Sequence, residues 1–151
     1  KTFENLELFG IAKDLIEQLH FSAKEKSVEL SIEGSPLQVR GDRRMIQDLI
    51  FNLVDNAIKY NRVGGGVEIS LSDEGNYGVI TVSDTGIGIP KDDVERVFER
   101  FYRVDKSRSR KAGGTGLGLA IVKHIVEYHG GSVALHSEVN KGTTVAVKLP
   151  K

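Results

Sequence analysis

Apolar residues recur at Ile46, Leu49, Ile50, Leu53, Val54, Ala57 and Ile58, at offsets of +3, +4, +7, +8, +11 and +12 from the first. That spacing lines one face of a helix and is the strongest periodic signal in the chain. Asp42 is a fitting N-cap ahead of it, so the pattern predicts a helix over 42–60 that ends near Asn61, before a run of three glycines. Ile11, Leu15, Ile16 and Leu19 predict a second amphipathic helix over 9–26. Alternating positions predict short strands at 3–8, 28–32 and 37–39, the last two separated by Gly34, Ser35 and Pro36. Residues 67–71 and 79–82 alternate around a polar, glycine-containing turn and predict a hairpin. A short helix is expected at 91–98 and an apolar helix with more than one buried face at 117–128. Two final strands, 132–137 and 143–149, flank Asn140, Lys141 and Gly142. This order predicts an α+β domain: a mixed, mostly antiparallel sheet covered on one face by helices.

The length of 151 residues is that of one domain, large enough to bury a core. Lys plus Arg and Asp plus Glu each number 21, so no global field favours nucleic acid or an anionic membrane. There is no cysteine, which excludes disulfides and thiolate metal sites and suits the cytoplasm, the expected location. No apolar run approaches the roughly 18 residues of a membrane helix. The chain opens on Lys1 rather than Met and reads as a fragment whose parent could carry membrane segments upstream.

Composition leaves function open, but four places carry chemistry. Asn52, Asn56 and Lys59 share a narrow sector beside the apolar stripe, at about 100° per residue. Asparagine costs a helix interior up to ~0.7 kcal/mol against alanine, so two of them four apart ask for a reason. Either they are part of a solvated polar face, or an amide oxygen helps hold Mg2+ while Lys59 faces phosphate. Asp84 closes a predicted strand and is followed by Gly86 and Gly88. This could be a turn, half of an aspartic protease dyad, or a fixed acceptor for an adenine amine; a dyad needs a second carboxylate, and the Asp-Thr-Gly triplet occurs only once. The glycines over 113–118 open a helix and expose N–H groups suited to an anion, though they miss the dinucleotide fingerprint and no phosphate-loop motif occurs. The stretch 98–111 concentrates Arg100, Arg103, Lys106, Arg108, Arg110 and Lys111. It reads as a solvated loop, a nucleic-acid patch, or a lid over a polyphosphate.

The order of these features narrows the choice. Asn-Leu-Val-Asp-Asn-Ala-Ile-Lys-Tyr (52–60), Asp-Thr-Gly-Ile-Gly-Ile (84–89), Phe-Glu-Arg-Phe-Tyr-Arg (98–103) and Gly-Thr-Gly-Leu-Gly-Leu (114–119) resemble the Asn box, first glycine box, Phe box and second glycine box of sensor histidine kinases. Lys141-Gly-Thr-Thr144 resembles the last glycine motif of the same domain. The resemblance covers nearly the whole chain and extends to the wider group of DNA gyrase, Hsp90 and MutL. It implies their ATP-binding two-layer α/β sandwich, the Bergerat-type fold, as a single domain over 1–151 with a lid at about 99–113.

The resemblance also implies roles. Asn56 is the expected Mg2+ ligand and Asn52 a polar group near the phosphates. Lys59 and Tyr60 are expected to face the nucleotide, and Asp84 to accept from the adenine amine. Gly86, Gly88 and Ile89 are expected beside the base, with Thr143 supporting the Asp84 contact through water. Arg103 is expected at the γ-phosphate, and Gly114, Thr115, Gly116, Leu117, Gly118 and Leu119 around the phosphates. The implied ligands are ATP, ADP as product, and Mg2+. The implied partners are a dimerisation and histidine-phosphotransfer domain of the same parent and a downstream response regulator. No nucleic acid is expected, and the isolated domain is expected to be monomeric.

Two departures refine this. ATPases of the wider group carry a Glu where this chain has Asn52, and an amide cannot act as a general base. None of His20, His124, His129 and His136 lies in the family's acceptor context, a His followed by Glu or Asp and then Pro. The expected activity is therefore γ-phosphoryl transfer to a histidine elsewhere, with a hydrolytic ATPase or a non-catalytic nucleotide-binding module as the alternatives.

Overall fold

A computed structural model describes residues 3–99 and 118–151. The expected roles of Arg103, Gly114, Thr115, Gly116 and Leu117, and nearly all of the expected lid at 99–113, lie outside the described residues. The elements run β1 (Glu4–Glu7), α1 (Leu8–Glu25), β2 (Glu29–Glu33), β3 (Gln38–Gly41), α2 (Arg43–Lys59), β4 (Gly66–Glu74) and β5 (Tyr77–Asp84). A 3-10 turn (Lys91–Arg96), α3 (Gly118–Tyr128), β6 (Ser132–Glu138) and β7 (Gly142–Pro150) follow. The main sheet has five strands in the order β2-β4-β5-β7-β6. Among the described residues only β2 and β4 are parallel; the other pairs of this sheet are antiparallel.

The sheet is apolar on one face. Along β4, Val67, Ile69 and Leu71 are buried while Glu68 and Ser72 are exposed, the alternation of a strand with one covered side. All seven stripe residues of α2 are buried, Ile46, Leu49, Ile50 and Val54 completely. With Ile11, Leu15 and Leu19 of α1 and Val122, Ile125 and Val126 of α3, they form one core against the sheet.

The structure differs from the sequence-based expectations in four places. Helix α3, expected to bury more than one face, buries only that of Val122, Ile125 and Val126 and leaves Ile121 and Tyr128 exposed. Strands β1 and β3 form a separate two-stranded antiparallel sheet instead of joining the main one. The expected helix at 91–98 is a single 3-10 stretch over Lys91–Arg96, with no buried residue to anchor it. Helix α1 starts at Leu8, one residue early, because Glu7 acts as its N-cap. The Glu7 carboxylate accepts from the backbone N–H groups of Phe9 and Gly10 at 2.8 and 2.9 Å, and from that of Leu37, 30 positions further along, at 2.9 Å. Burial raises its pKa, but these three donors outweigh it and hold it below the usual range.

Both ends of α2 are tied to distant parts of the chain. At its start, the Asp42 carboxylate caps the N–H of Met45 at 3.0 Å, as the sequence predicts. The N–H of Asp42 itself donates to Nε2 of His129, at 3.1 Å across 87 positions of sequence. Because Nε2 accepts, the neutral ring carries its proton on Nδ1, which donates to the carbonyl of Ile125 at 2.8 Å. His129 is only 6% exposed, and Phe3 stacks on it with ring centroids 4.8 Å apart. It therefore locks the end of α3 to the start of α2. Replacing His129 with Ala removes the acceptor of the half-buried Asp42 N–H and should cost about 1–3 kcal/mol, read from urea unfolding. An unchanged midpoint would show that water replaces the ring at no loss.

Candidate functional site

The polar sector of α2 meets the first residue of α3. A Cβ placed on Gly118 would lie 3.6 Å from Oδ1 of Asn52 and 3.9 Å from Oδ1 of Asn56. Both amide oxygens therefore converge on the point where the second glycine run enters its helix. Asn52 owes its orientation to its own helix: its amide nitrogen donates to the carbonyl of Asp48 at 2.7 Å, one turn back. That bond occupies the donor end and leaves the oxygen facing Gly118. Lys59 lies one turn beyond Asp55 and pairs with it at 3.1 Å, both side chains being partly buried.

The second element is the loop after β5. Oδ1 of Asp84 accepts from the N–H of Gly86 at 2.8 Å and from that of Thr143 at 3.1 Å. Among the described residues no bond falls on Oδ2. The loop is joined to the end of α2 by the N–H of Ile87, which donates to the carbonyl of Tyr60 at 3.1 Å. It is joined to the β6–β7 turn by the N–H of Asn140, which donates to the carbonyl of Ile87 at 2.8 Å. The two glycines serve this packing. A side chain at Gly86 would collide with the Tyr60 carbonyl, and one at Gly88, where φ is +76, with the Glu138 carbonyl.

Of the residues named from sequence, Asn52, Asn56 and Gly118 come together at one point. Tyr60, Asp84, Gly86, Gly88, Ile89 and Thr143 come together around the loop. Leu119 is half-buried in the first turn of α3 and packs on the core. Sequence reasoning missed Arg62 and Ser137. The Arg62 guanidinium reaches the carbonyl of Gly86 and the side-chain oxygen of Asn140, each at 3.4 Å. Ser137 accepts from the N–H of Ile89 at 2.7 Å, 48 positions away. Neither stands in a recognisable motif, and only the fold brings them to the loop.

The donor set suits a hard cation bound mainly by other groups. Among the described residues no cluster of three or more His, Cys, Asp or Glu side chains forms. A divalent ion at the α2–α3 junction would take amide oxygen from the protein and the rest of its oxygens from phosphate and water, as Mg2+ commonly does. The Asp84 carboxylate beside a close-packed backbone loop suits a flat ligand carrying an amine.

Known proteins resemble this chain over most of its length. Residues 41–151 match the family described as histidine kinase-, DNA gyrase B-, and HSP90-like ATPase. The sensor-like histidine kinase SenX3 of Mycolicibacterium smegmatis is 43% identical over 143 residues, which cover 94% of this chain and 37% of that protein. The sensor histidine kinase WalK of Bacillus subtilis is 48% identical over 131 residues, 84% of this chain and 21% of that protein. The chain thus spans well under half the length of either relative. Among solved structures, the mycobacterial sensor histidine kinase MprB superposes with a TM-score of 0.86 at 30% identity, covering 97% of both chains. Full-length ShkA in complex with AMPPNP gives 0.85 at 29% identity, covering 99% of this chain and 31% of that one.

Asp84 has a cost to the fold that can be measured without any ligand. Burial raises its carboxyl above the usual carboxylate range, against the opposing pull of the Gly86 and Thr143 N–H groups. Between its unfolded and folded pKa values the folded protein keeps a proton that the unfolded chain releases. Asp84 therefore favours folding at low pH, and that contribution is lost as pH rises through its folded pKa. Asp84→Asn keeps an oxygen for both backbone donors and removes the buried charge. The ligand-free variant should be more stable than the parent at pH 7, with the gap closing as pH falls toward 4, in thermal melts run across that range. A variant less stable at pH 7 would mean that the charge itself supports the loop.

Proposed function

The chain belongs to the family of histidine kinase-, DNA gyrase B-, and HSP90-like ATPases, and from that premise we propose that it is the single catalytic domain of a sensor histidine kinase. It binds Mg2+ and ATP and donates the γ-phosphoryl group to a histidine on a separate dimerisation domain of the same parent protein. A response regulator then takes the phosphoryl group, in two-component signalling.

The observation that carries this reading is the shared frame of α2. Its Asn52 and Asn56 oxygens face the start of α3, and its last turn holds the Asp84 loop. One rigid helix thus sets the separation between a base-sized acceptor site and an oxygen-lined anion and cation site. Similarity to a structure solved with AMPPNP supports a nucleotide spanning the two.

In this reading Asp84 accepts from the adenine amine, and Gly86, Gly88 and Ile89 border the base. Tyr60 and Lys59 face the nucleotide, Lys59 after exchanging Asp55 for phosphate. Thr143 supports the Asp84 contact through water. Asn56 supplies protein oxygen to Mg2+, which offsets charge on the phosphates when bound. Gly118 and Leu119 bring the N-terminal end of α3, with its positive dipole, toward the phosphates. Arg103, Gly114, Thr115, Gly116 and Leu117 join the set through the family motifs alone. Asn52 has its amide nitrogen tied to Asp48, and its oxygen has no proton affinity suited to activating water. Transfer to a positioned histidine is therefore favoured over hydrolysis.

Two outcomes test this. Saturation with Mg-ATP at 100 times its Kd should stabilise the domain by ~2.7 kcal/mol, a melting shift of roughly 5–11 °C. The absence of any shift at millimolar Mg-ATP would defeat the proposal. With γ-labelled ATP, the chain alone should gain no acid-labile label and release phosphate slowly. Adding a matching acceptor domain should produce label on that domain, slowly and in proportion to its concentration, because the encounter is bimolecular. Fast phosphate release without the acceptor would make the chain an ATPase instead.

A further inference from the structure

The inner face of the main sheet changes character at its last row. In register across β5, β7 and β6, the rows run Ile80, Val147 and Val133, then Val82, Val145 and Leu135, then Asp84, Thr143 and Ser137. Two aliphatic rows face the helices; the third, on the same side, carries a carboxylate and two hydroxyls. Half-buried polar groups at the border of a core are held in place by hydrogen bonds to one another and to the backbone. Ser137 is the group that links this row to the loop and to the turn. Its Oγ accepts from the N–H of Ile89 at 2.7 Å, lies 3.1 Å from the carbonyl of Gly142, and lies 2.7 Å from the hydroxyl of Thr143. Thr143 in turn donates its N–H to Asp84 at 3.1 Å.

We infer that Ser137 is a positioning residue for base selection, holding Thr143 and the 84–89 loop in register with Asp84; this rests on the ATP-binding reading above. A serine hydroxyl has one proton and two lone pairs. One lone pair is taken by the Ile89 N–H and the proton goes to the Gly142 carbonyl, so the second lone pair takes the Thr143 proton. Thr143 therefore offers only lone pairs outward, and Asp84 is an acceptor as well. Two acceptors side by side suit the adenine edge, whose amine donates to one while a water held by the other donates to the ring nitrogen. An inosine edge has a carbonyl and a ring N–H at the same two positions, the reverse pattern. Ser137 touches no base itself; it acts by keeping the Thr143 hydroxyl oriented and the loop amide satisfied.

The test compares Mg-ATP with Mg-ITP, which differ only at that edge, by calorimetry on the wild-type chain, Ser137→Ala and Ser137→Thr. The wild type should prefer ATP. Ser137→Ala should weaken ATP about tenfold, the loss that a hydrogen bond worth about 1.4 kcal/mol produces, and leave ITP within roughly twofold. Ser137→Thr retains the hydroxyl and should recover the ATP affinity. If Ser137→Ala does not fold, Ser137→Cys, which keeps the volume and weakens the bonds, takes its place with the same expectation. An equal loss for ATP and ITP would make Ser137 a general support of the fold and overturn the inference, as would an unchanged ATP affinity. A wild-type chain that binds ATP and ITP equally would also overturn it, while one that binds neither would remove the ATP reading beneath it.

Discussion

The last carbonyls of a helix have no partner within it, and the way α2 meets that demand at Tyr60 sets the geometry around the candidate site. The Tyr60 carbonyl is taken by the N–H of Ile87, which draws the loop after Asp84 onto the helix end. The approach is so close that only glycine fits at position 86. Asp84 therefore has a definite place relative to Asn52 and Asn56, one to two turns earlier on the same helix. The β6–β7 turn and the end of β6 close the loop from the other side, through Asn140 and Ser137. A loop held by three such bonds from two sides is well braced, although it carries no regular structure of its own.

The opposite end of α2 is secured by different means. Asp42 caps it locally, and His129 holds the N–H of Asp42 from the end of α3. The two helices that bring Asn52, Asn56 and Gly118 together are thus joined at a second point, far from the site. With both ends fixed and the stripe from Ile46 to Ile58 buried, the polar sector has little freedom to rotate. Asparagine at two interior positions weakens the helix by itself, and the core absorbs that loss.

The polar row at the end of the sheet shows the same balance. The inner face is aliphatic until Asp84, Thr143 and Ser137, where the core gives way to hydrogen-bonded groups. A half-buried carboxylate with a raised pKa works against folding at neutral pH. An acceptor already stripped of part of its water is also better placed to take a donor from a ligand. In the proposed role, stability and recognition pull on Asp84 in opposite directions, and the aliphatic rows behind it sustain the difference.

The sequence by itself determined the elements and the chemistry that is local to them. The stripe of α2, the Asp42 cap and the strand alternation depend on neighbours a few positions away, so periodicity reveals them within three residues. The Asn52, Asn56 and Lys59 sector follows from the same helical arithmetic, and the motif order pointed to the family. The tertiary structure alone decided the rest. It set β1 and β3 apart as their own sheet, used Glu7 as a cap because Leu37 came near, and gave the glycines of the 84–89 loop backbone carbonyls to pack against. It also gave Ser137 and His129 their parts, through bonds that cross 48 and 87 positions. A local pattern carries no record of such partners, because nothing in the spacing of residues along a strand says which distant N–H will need its hydroxyl.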